Sequence, residues 1–247
     1  MSVKIEICAG SIESAIAAKK GGADRIELCS ALSEGGLTPS QAMIEYSVNQ
    51  VKIDTYVLIR PRNGDFYYSR AEYELIKSDI FAAKLRGAAG VVIGMLNSDG
   101  TIDSCRLKEL VEMARPMGLT FHRAFDVCND PFIALEEIIK LGFDRILTSG
   151  HALNAMAGSA LLADLVKQAG DRIIIMPGGG ITAANLKELH RITGASEFHT
   201  SASGMFPSKM HYRNPAVSMG GAGEDEYSIK QTDPDLVREV CWMAREL

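Results

Sequence analysis

The chain has 247 residues, of which 47% are apolar, so it can bury one large hydrophobic core. It contains no run of about 18 apolar residues, and its first residues lack the basic-then-apolar order of a signal peptide. The formal net charge is −5 and no Lys/Arg cluster is present, which argues against nucleic acid and an anionic membrane surface as partners. The five cysteines are odd in number and predict free thiols in a cytoplasmic protein.

Short apolar runs alternate with amphipathic stretches along the whole chain, at intervals of roughly 20 to 40 residues. The runs cover residues 3–8, 24–29, 53–60, 90–95, 119–123, 145–149, 172–176 and 197–201. Eight strands that alternate with helices predict a closed (β/α)8 barrel of the TIM type. A doubly wound open sheet is the alternative, but it would usually carry G-x-G-x-x-G after the first strand, where this chain has Cys8-Ala9-Gly10-Ser11.

The chain shows no linker or change of composition, so we expect residues 1–247 to form a single barrel domain. The pairs Thr38-Pro39, Asp130-Pro131 and Asp233-Pro234 predict helix starts, each with a capping side chain before a proline. Residues 204–231 read as a long irregular segment before the last helix, and such a segment predicts a lid, a site element or a subunit contact. It contains Met205, Phe206, Met210 and Tyr212, which favour a homodimer.

Charged side chains on the strands must face the barrel interior, because the other strand face packs against apolar helices. Alternation along each strand then assigns to the interior Glu6, Cys8, Glu27, Cys29, Arg60, His122, Glu197 and His199. One interpretation is a buried salt-bridge network around Arg60 that only fills the barrel, and Glu6 and Glu27 fit it best. The residues nearer the C-terminal ends of the strands, where barrel active sites lie, leave a functional interpretation equally open.

The loops after strands three and five carry candidate catalytic groups. Arg60 and Arg62 flank a proline and predict a clamp for a carboxylate or phosphate, unless one of them pairs with Asp65. His122 is a candidate general acid or base held by Asp126 or by an inward glutamate, with a purely structural histidine as the alternative.

The loops after strands six, seven and eight predict an anion site. Gly179 and Gly180 open a helix, the position at which barrels commonly bind phosphate through backbone N–H groups. The loop after strand eight, which contains Ser201 and Ser203, adds the backbone of Ser203 to this site, and Thr148 adds a hydroxyl donor to the same cleft. The alternative is a set of tight turns without a ligand. These residues favour an enzyme that acts on a small anionic or phosphorylated metabolite.

Eight segments resemble, in order and over nearly the whole chain, the CutC family of cytoplasmic copper-homeostasis proteins. They are residues 6–8, 22–29, 33–36, 60–66, 120–126, 145–150, 176–181 and 197–199. The resemblance implies a TIM-type barrel, a cytoplasmic homodimer and a Cu(I) site at the cysteines that end the first two strands, Cys8 and Cys29.

The residues themselves allow such a site. Cys8 and Cys29 lie at inward positions on neighbouring strands, which are about 4.8 Å apart, so the two thiols can share one soft ion. Arg60 would lower the pKa of these thiols, whereas nearby glutamates would raise it. Three interpretations therefore stay open at this point: a Cu(I)-binding buffer or carrier, a barrel enzyme, and a polar interior with a structural role only.

Overall fold

The computed structural model describes residues 3–214, 216–217 and 225–247, and it is a barrel of eight parallel strands. The strands are β1 (Lys4–Ala9), β2 (Arg25–Leu28), β3 (Thr55–Leu58), β4 (Gly90–Ile93), β5 (Gly118–Phe121), β6 (Arg145–Thr148), β7 (Ile174–Pro177) and β8 (Glu197–Thr200). Their order in the sheet is β7-β6-β5-β4-β3-β2-β1-β8, and a parallel bridge from Gly178 to His199 joins the two ends. The predicted (β/α)8 barrel is confirmed.

The helices alternate with the strands. They are α1 (Ile12–Gly21), α2 (Gln41–Tyr46), α3 (Arg70–Leu85), α4 (Ser104–Ala114), α5 (Pro131–Leu141), α6 (Ser159–Ala169), α7 (Ala183–Thr193) and α8 (Pro234–Arg245). The predicted starts at Asp130 and Asp233 are confirmed, because each aspartate accepts backbone N–H groups of the following turn. The start predicted at Thr38 was wrong: Ser40 caps α2, while the Thr38 hydroxyl accepts the N–H of Arg60.

The hydrophobic core lies between the strands and the helices. Ile5 and Ile7 of β1 and Ile26 and Leu28 of β2 point outward and are almost fully buried against the helix layer. Because side chains alternate along a strand, this packing turns the intervening polar residues into the barrel. No helix among the described ranges is both long enough and apolar enough to cross a membrane.

The segment 204–231 is more regular than expected. The strands β9 (Ser203–Pro207) and β10 (Ser228–Thr232) form an antiparallel hairpin, so the prediction of an irregular stretch was wrong at both ends. Residues 215 and 218–224 of the segment lie outside the described residues. Met205, Met210 and Tyr212 are exposed. That all 247 residues make one domain is our proposal.

Candidate functional site

A network of ion pairs fills the barrel interior near the N-terminal ends of the strands, and Arg25 lies at its centre. The Arg25 Nε donates to Glu6 Oε2 at 2.5 Å, and its Nη2 donates to Glu197 Oε2 at 2.5 Å. Arg145 donates from Nε to the same Glu197 oxygen at 2.7 Å and from Nη1 to the hydroxyl of Tyr56 at 3.1 Å. Two cations thus balance two carboxylates, which is the condition for burying them.

Arg60, around which the network was predicted to form, belongs to a different environment. Its Nη1 donates to the carbonyl oxygens of Glu34 and Gly36 at 2.9 and 3.0 Å, and its Nη2 donates to the carbonyl oxygen of Gly64 at 2.8 Å. The prediction failed because Arg60 follows β3 at the C-terminal end of the barrel, whereas Glu6 and Glu197 lie deeper.

A compact group of possible metal ligands lies above this network. The Cys8 thiol donates to Glu27 Oε2 at 3.3 Å, and the Cys8 and Cys29 sulfur atoms are 3.8 Å apart. The hydrogen bond with Cys29, burial and the charge of Glu27 raise the pKa of Cys8 well above its ordinary value. The lowering expected from Arg60 is therefore not found.

His199 completes the group. Its Nδ1 bonds to Glu6 Oε1 at 2.7 Å, while its Nε2 lies 3.8 Å from Glu27 Oε2. One ligand atom each from Cys8, Glu27 and His199 lie within 4.8 Å of one another. Burial opposes protonation of this histidine, but Glu27, Cys8 and Glu6 together raise its pKa well above the ordinary value.

A cavity of about 750 Å³ opens over this group at the C-terminal ends of the strands. It brings together many of the residues singled out in the sequence, namely Cys8, Arg60, His122, Asp126, Gly179, Gly180, Ser201 and Ser203. Cys29, Arg62 and Thr148 do not line it. Barrel enzymes place their sites at this end, so the location fits the prediction.

His122 is 4% exposed and packs against Phe66, with their ring centroids 4.9 Å apart. Its Nδ1 accepts the N–H of Ala124 at 3.1 Å, so the neutral ring carries its proton on Nε2. Burial and the charge of Arg60 lower its pKa to about 3. This environment favours a hydrogen-bond donor over the predicted general acid or base.

The loops after β7 and β8 meet at the rim of the cavity. Gly179 and Gly180 both have positive φ, +96° and +75°, and their N–H groups have no acceptor among the described residues. The helix α7 begins three residues later, at Ala183, and the hydroxyls of Ser201 and Ser203 are 3.2 Å apart.

Comparison with known proteins gives the family. The CutC family model matches residues 3–204. The human copper homeostasis protein cutC homolog is 48% identical over 244 residues, which cover 98% of this chain and 89% of the human protein. The chain belongs to the CutC family. A CutC family protein of Mesorhizobium japonicum is 49% identical over 242 residues, covering 98% of this chain and 94% of its own.

Solved structures agree with this placement in the CutC family. CutC from Streptococcus agalactiae has a TM-score of 0.77 and 32% identity, and the match covers 81% of this chain and 98% of that one. N-(5'-phosphoribosyl)anthranilate isomerase from Pyrococcus furiosus has a TM-score of 0.56 at 14% identity, covering 99% and 100% of the two chains. The second likeness shows the barrel fold alone.

Two contacts predicted for this CutC family member are not formed. Arg62 donates to Glu72 at 2.5 Å and to Asp65 at 2.9 Å, so its charge is already paired and it makes no clamp with Arg60. Asp126 does not hold His122. It accepts instead from the hydroxyl of Thr148 at 2.5 Å and from the N–H of Ser149 at 3.0 Å.

The alternation of side chains along the strands could have identified Arg25, which the sequence analysis did not assign to the barrel interior. Arg25 precedes Glu27 by two residues on β2, and so it faces the interior as Glu27 does. Glu27 and His199 were assigned to the interior but not to the metal site, because their proximity to Cys8 depends on how three strands are packed.

Proposed function

We propose that this CutC family member serves copper homeostasis by binding one Cu(I) ion in the barrel interior. The observation that carries the proposal is the mutual distance, within 4.8 Å, of ligand atoms from Cys8, Glu27 and His199. The Cys29 sulfur, 3.8 Å from that of Cys8, supplies a second soft ligand. Thiolate and imidazole are ligands that bind copper, and thiolate sulfur favours Cu(I) in particular.

The partners of His199 support the same role. Protein histidines that bind metals usually donate the other ring N–H to a carboxylate, which orients the ring. Here Nδ1 bonds to Glu6, and Arg25 fixes the opposite oxygen of that carboxylate. The Nε2 atom is thereby directed toward Glu27 and Cys8. The Cys8 thiol and the His199 ring, whose pKa values are both raised well above the ordinary ones, must each lose a proton to bind the ion, so affinity should rise with pH.

Anaerobic titration with Cu(I) against a competing chelator tests this proposal. Wild type should bind one equivalent, and Cys8→Ser should abolish tight binding because Cys8 is the thiol that lines the cavity. Cys29→Ser should weaken it, while Cys105→Ser, which removes an exposed thiol, is the matched control and should change nothing. If the Cys8→Ser, Cys29→Ser double variant still binds as wild type does, these cysteines are not the site.

A second function, that of a barrel enzyme acting on a small anionic or phosphorylated molecule, is favoured by the free N–H groups of Gly179 and Gly180. They lie beside the N-terminus of α7 and the Ser203 hydroxyl, and all of them line the cavity. Such N–H groups bind anions. Crystals soaked in phosphate or sulfate should show density at this rim. An empty rim, with ions bound elsewhere, would remove this candidate.

We also propose a cytoplasmic homodimer. The free cysteines support a location in the reducing cytoplasm. The exposed side chains of Met205, Met210 and Tyr212 support a dimer interface. Light scattering at micromolar concentration should give the mass of a dimer. A double substitution, Met205→Ser with Met210→Ser, should shift it toward the monomer, and a monomeric wild type would contradict the proposal.

A further inference from the structure

Two residues that line the cavity, Arg60 and His122, each carry a buried N–H donor that no group of the described residues accepts. Arg60 is 7% exposed and His122 is 4% exposed, and the Nε of the first and Nε2 of the second have no partner among the described residues. Both side chains pack on Phe66, the guanidinium carbon 5.1 Å and the imidazole centroid 4.9 Å from the ring centroid. Buried donors without an acceptor are costly and rare in folded proteins.

Arg60 also carries an unbalanced charge. No carboxylate of the described chain lies within 4 Å of its guanidinium, whereas the buried Arg25 and the partly buried Arg145 both contact Glu197. The carboxylates that line the cavity are engaged elsewhere: Glu27 with Cys8, and Asp126 with Thr148 and Arg123. The exposed Glu239 lies at the rim. The cavity wall therefore presents one positive charge that lacks an anionic partner.

We infer that Arg60 and His122 together bind the carboxylate of a small, largely apolar organic acid. A carboxylate matches the wall in charge and in number of donors, since it brings one negative charge and two oxygens to one guanidinium N–H and one imidazole N–H. A phosphate monoester would bring a second negative charge, and Arg123, the other arginine among the described residues that line the cavity, already pairs with Asp126.

The other side chains that line the cavity indicate what kind of group the organic acid carries besides its carboxylate. Phe66 packs against both Arg60 and His122, and the cavity is also lined by the apolar side chains of Leu32, Leu58, Val127 and Leu147. Its volume of about 750 Å³ is in the range of pockets that enclose small organic molecules. These apolar side chains favour an aromatic or branched aliphatic group on the acid.

The tautomer of His122 keeps the Nε2–H group available as a donor at physiological pH. The N–H of Ala124 is donated to Nδ1, which leaves the proton on Nε2 of the neutral ring. Binding should therefore change little between about pH 6 and 8, since the pKa of His122, lowered to about 3 by burial and the charge of Arg60, keeps its ring neutral there. The inference shares only the cavity with the copper and phosphate proposals, which rest on the cysteines and on the rim N–H groups.

Calorimetric titration in buffer free of metal and phosphate tests the inference with phenylacetate and hexanoate as probes. The two acids should bind at least about tenfold more tightly than phenylacetamide, which has the same shape without the charge. Phenyl phosphate should bind more weakly than phenylacetate. His122→Phe and Arg60→Lys should each weaken phenylacetate about tenfold or more, while Arg62→Gln, in the same loop but paired with Glu72, should stay within about twofold.

Arg60 also holds three loop carbonyl groups, so the comparison of acid with amide on wild type provides a test that needs no variant. Equal affinity for phenylacetate and phenylacetamide would overturn the inference. So would tighter binding of phenyl phosphate that His122→Phe weakens, failure of both acids to bind at millimolar concentration, or wild-type affinity for phenylacetate in a folded His122→Phe variant. The Cu(I) titration and the phosphate soak are decided separately from any of these results.

Discussion

Arg25→Met is the substitution whose effect on stability follows most directly from the structure. The arginine side chain is 6% exposed and bonds to Glu6 and Glu197, both at 2.5 Å. Methionine fills a similar volume but removes one of the two cations that balance these carboxylates. One buried negative charge is left without a compensating cation in the barrel interior.

Removing one partner of a buried ion pair typically costs about 3 to 5 kcal/mol. Glu197 keeps Arg145 at 2.7 Å, and Glu6 keeps His199 at 2.7 Å, so we expect the lower end, about 3 kcal/mol. For a chain of this length each kcal/mol shifts the melting temperature by about 2 to 4 °C, so Tm should fall by about 6 to 12 °C.

Thermal unfolding followed by circular dichroism at pH 7 measures this effect. Arg172→Met is the matched control, since Arg172 pairs with Glu136 at the surface and is 47% exposed, and it should leave Tm nearly unchanged. Adding Glu6→Gln to Arg25→Met should recover part of the loss by removing the unbalanced charge. If Arg25→Met melts within the range of the control, the network does not stabilise the barrel as we argue.

Three further predictions follow from individual contacts. Burial and the neighbouring guanidinium of Arg60 lower the pKa of His122 to about 3 in the folded protein. Below about pH 6.5 this histidine is therefore protonated in the unfolded chain but stays neutral in the folded one. Wild type should therefore lose about 1.6 kcal/mol of stability relative to His122→Phe between pH 6.5 and 5, and parallel curves in urea would contradict this. Gly90→Ala would place a Cβ 2.2 Å from the ring of Tyr56 and should cost about 1 to 3 kcal/mol in the same assay, whereas Gly204→Ala meets no atom nearer than 3.6 Å and should be neutral. A thiol reagent should label Cys105 quickly in the native protein and the other four cysteines only after unfolding; fast labelling of a second thiol would show that one buried cysteine is accessible.

The barrel and the two faces of its strands could be predicted from the sequence because they depend on short-range patterns. The alternation of Ile5, Glu6, Ile7 and Cys8 assigns two residues to the helix layer and two to the interior, whatever the neighbouring strands are. The helix starts at Asp130 and Asp233 are local in the same sense. Applied to β2, the same alternation would have included Arg25.

Tertiary structure alone decided which of these inward groups meet. Arg25 reaches Glu197, and His199 reaches Glu6 from the other end of the chain, through the closure of β8 onto β1. The depth of each side chain in the barrel, and not its residue type, pairs Arg25 with carboxylates and leaves Arg60 with carbonyl oxygens. The depth of a side chain depends on the register of the parallel strands and on the path of each loop. Both are set by contacts between residues distant in sequence, and a local sequence pattern does not encode such contacts.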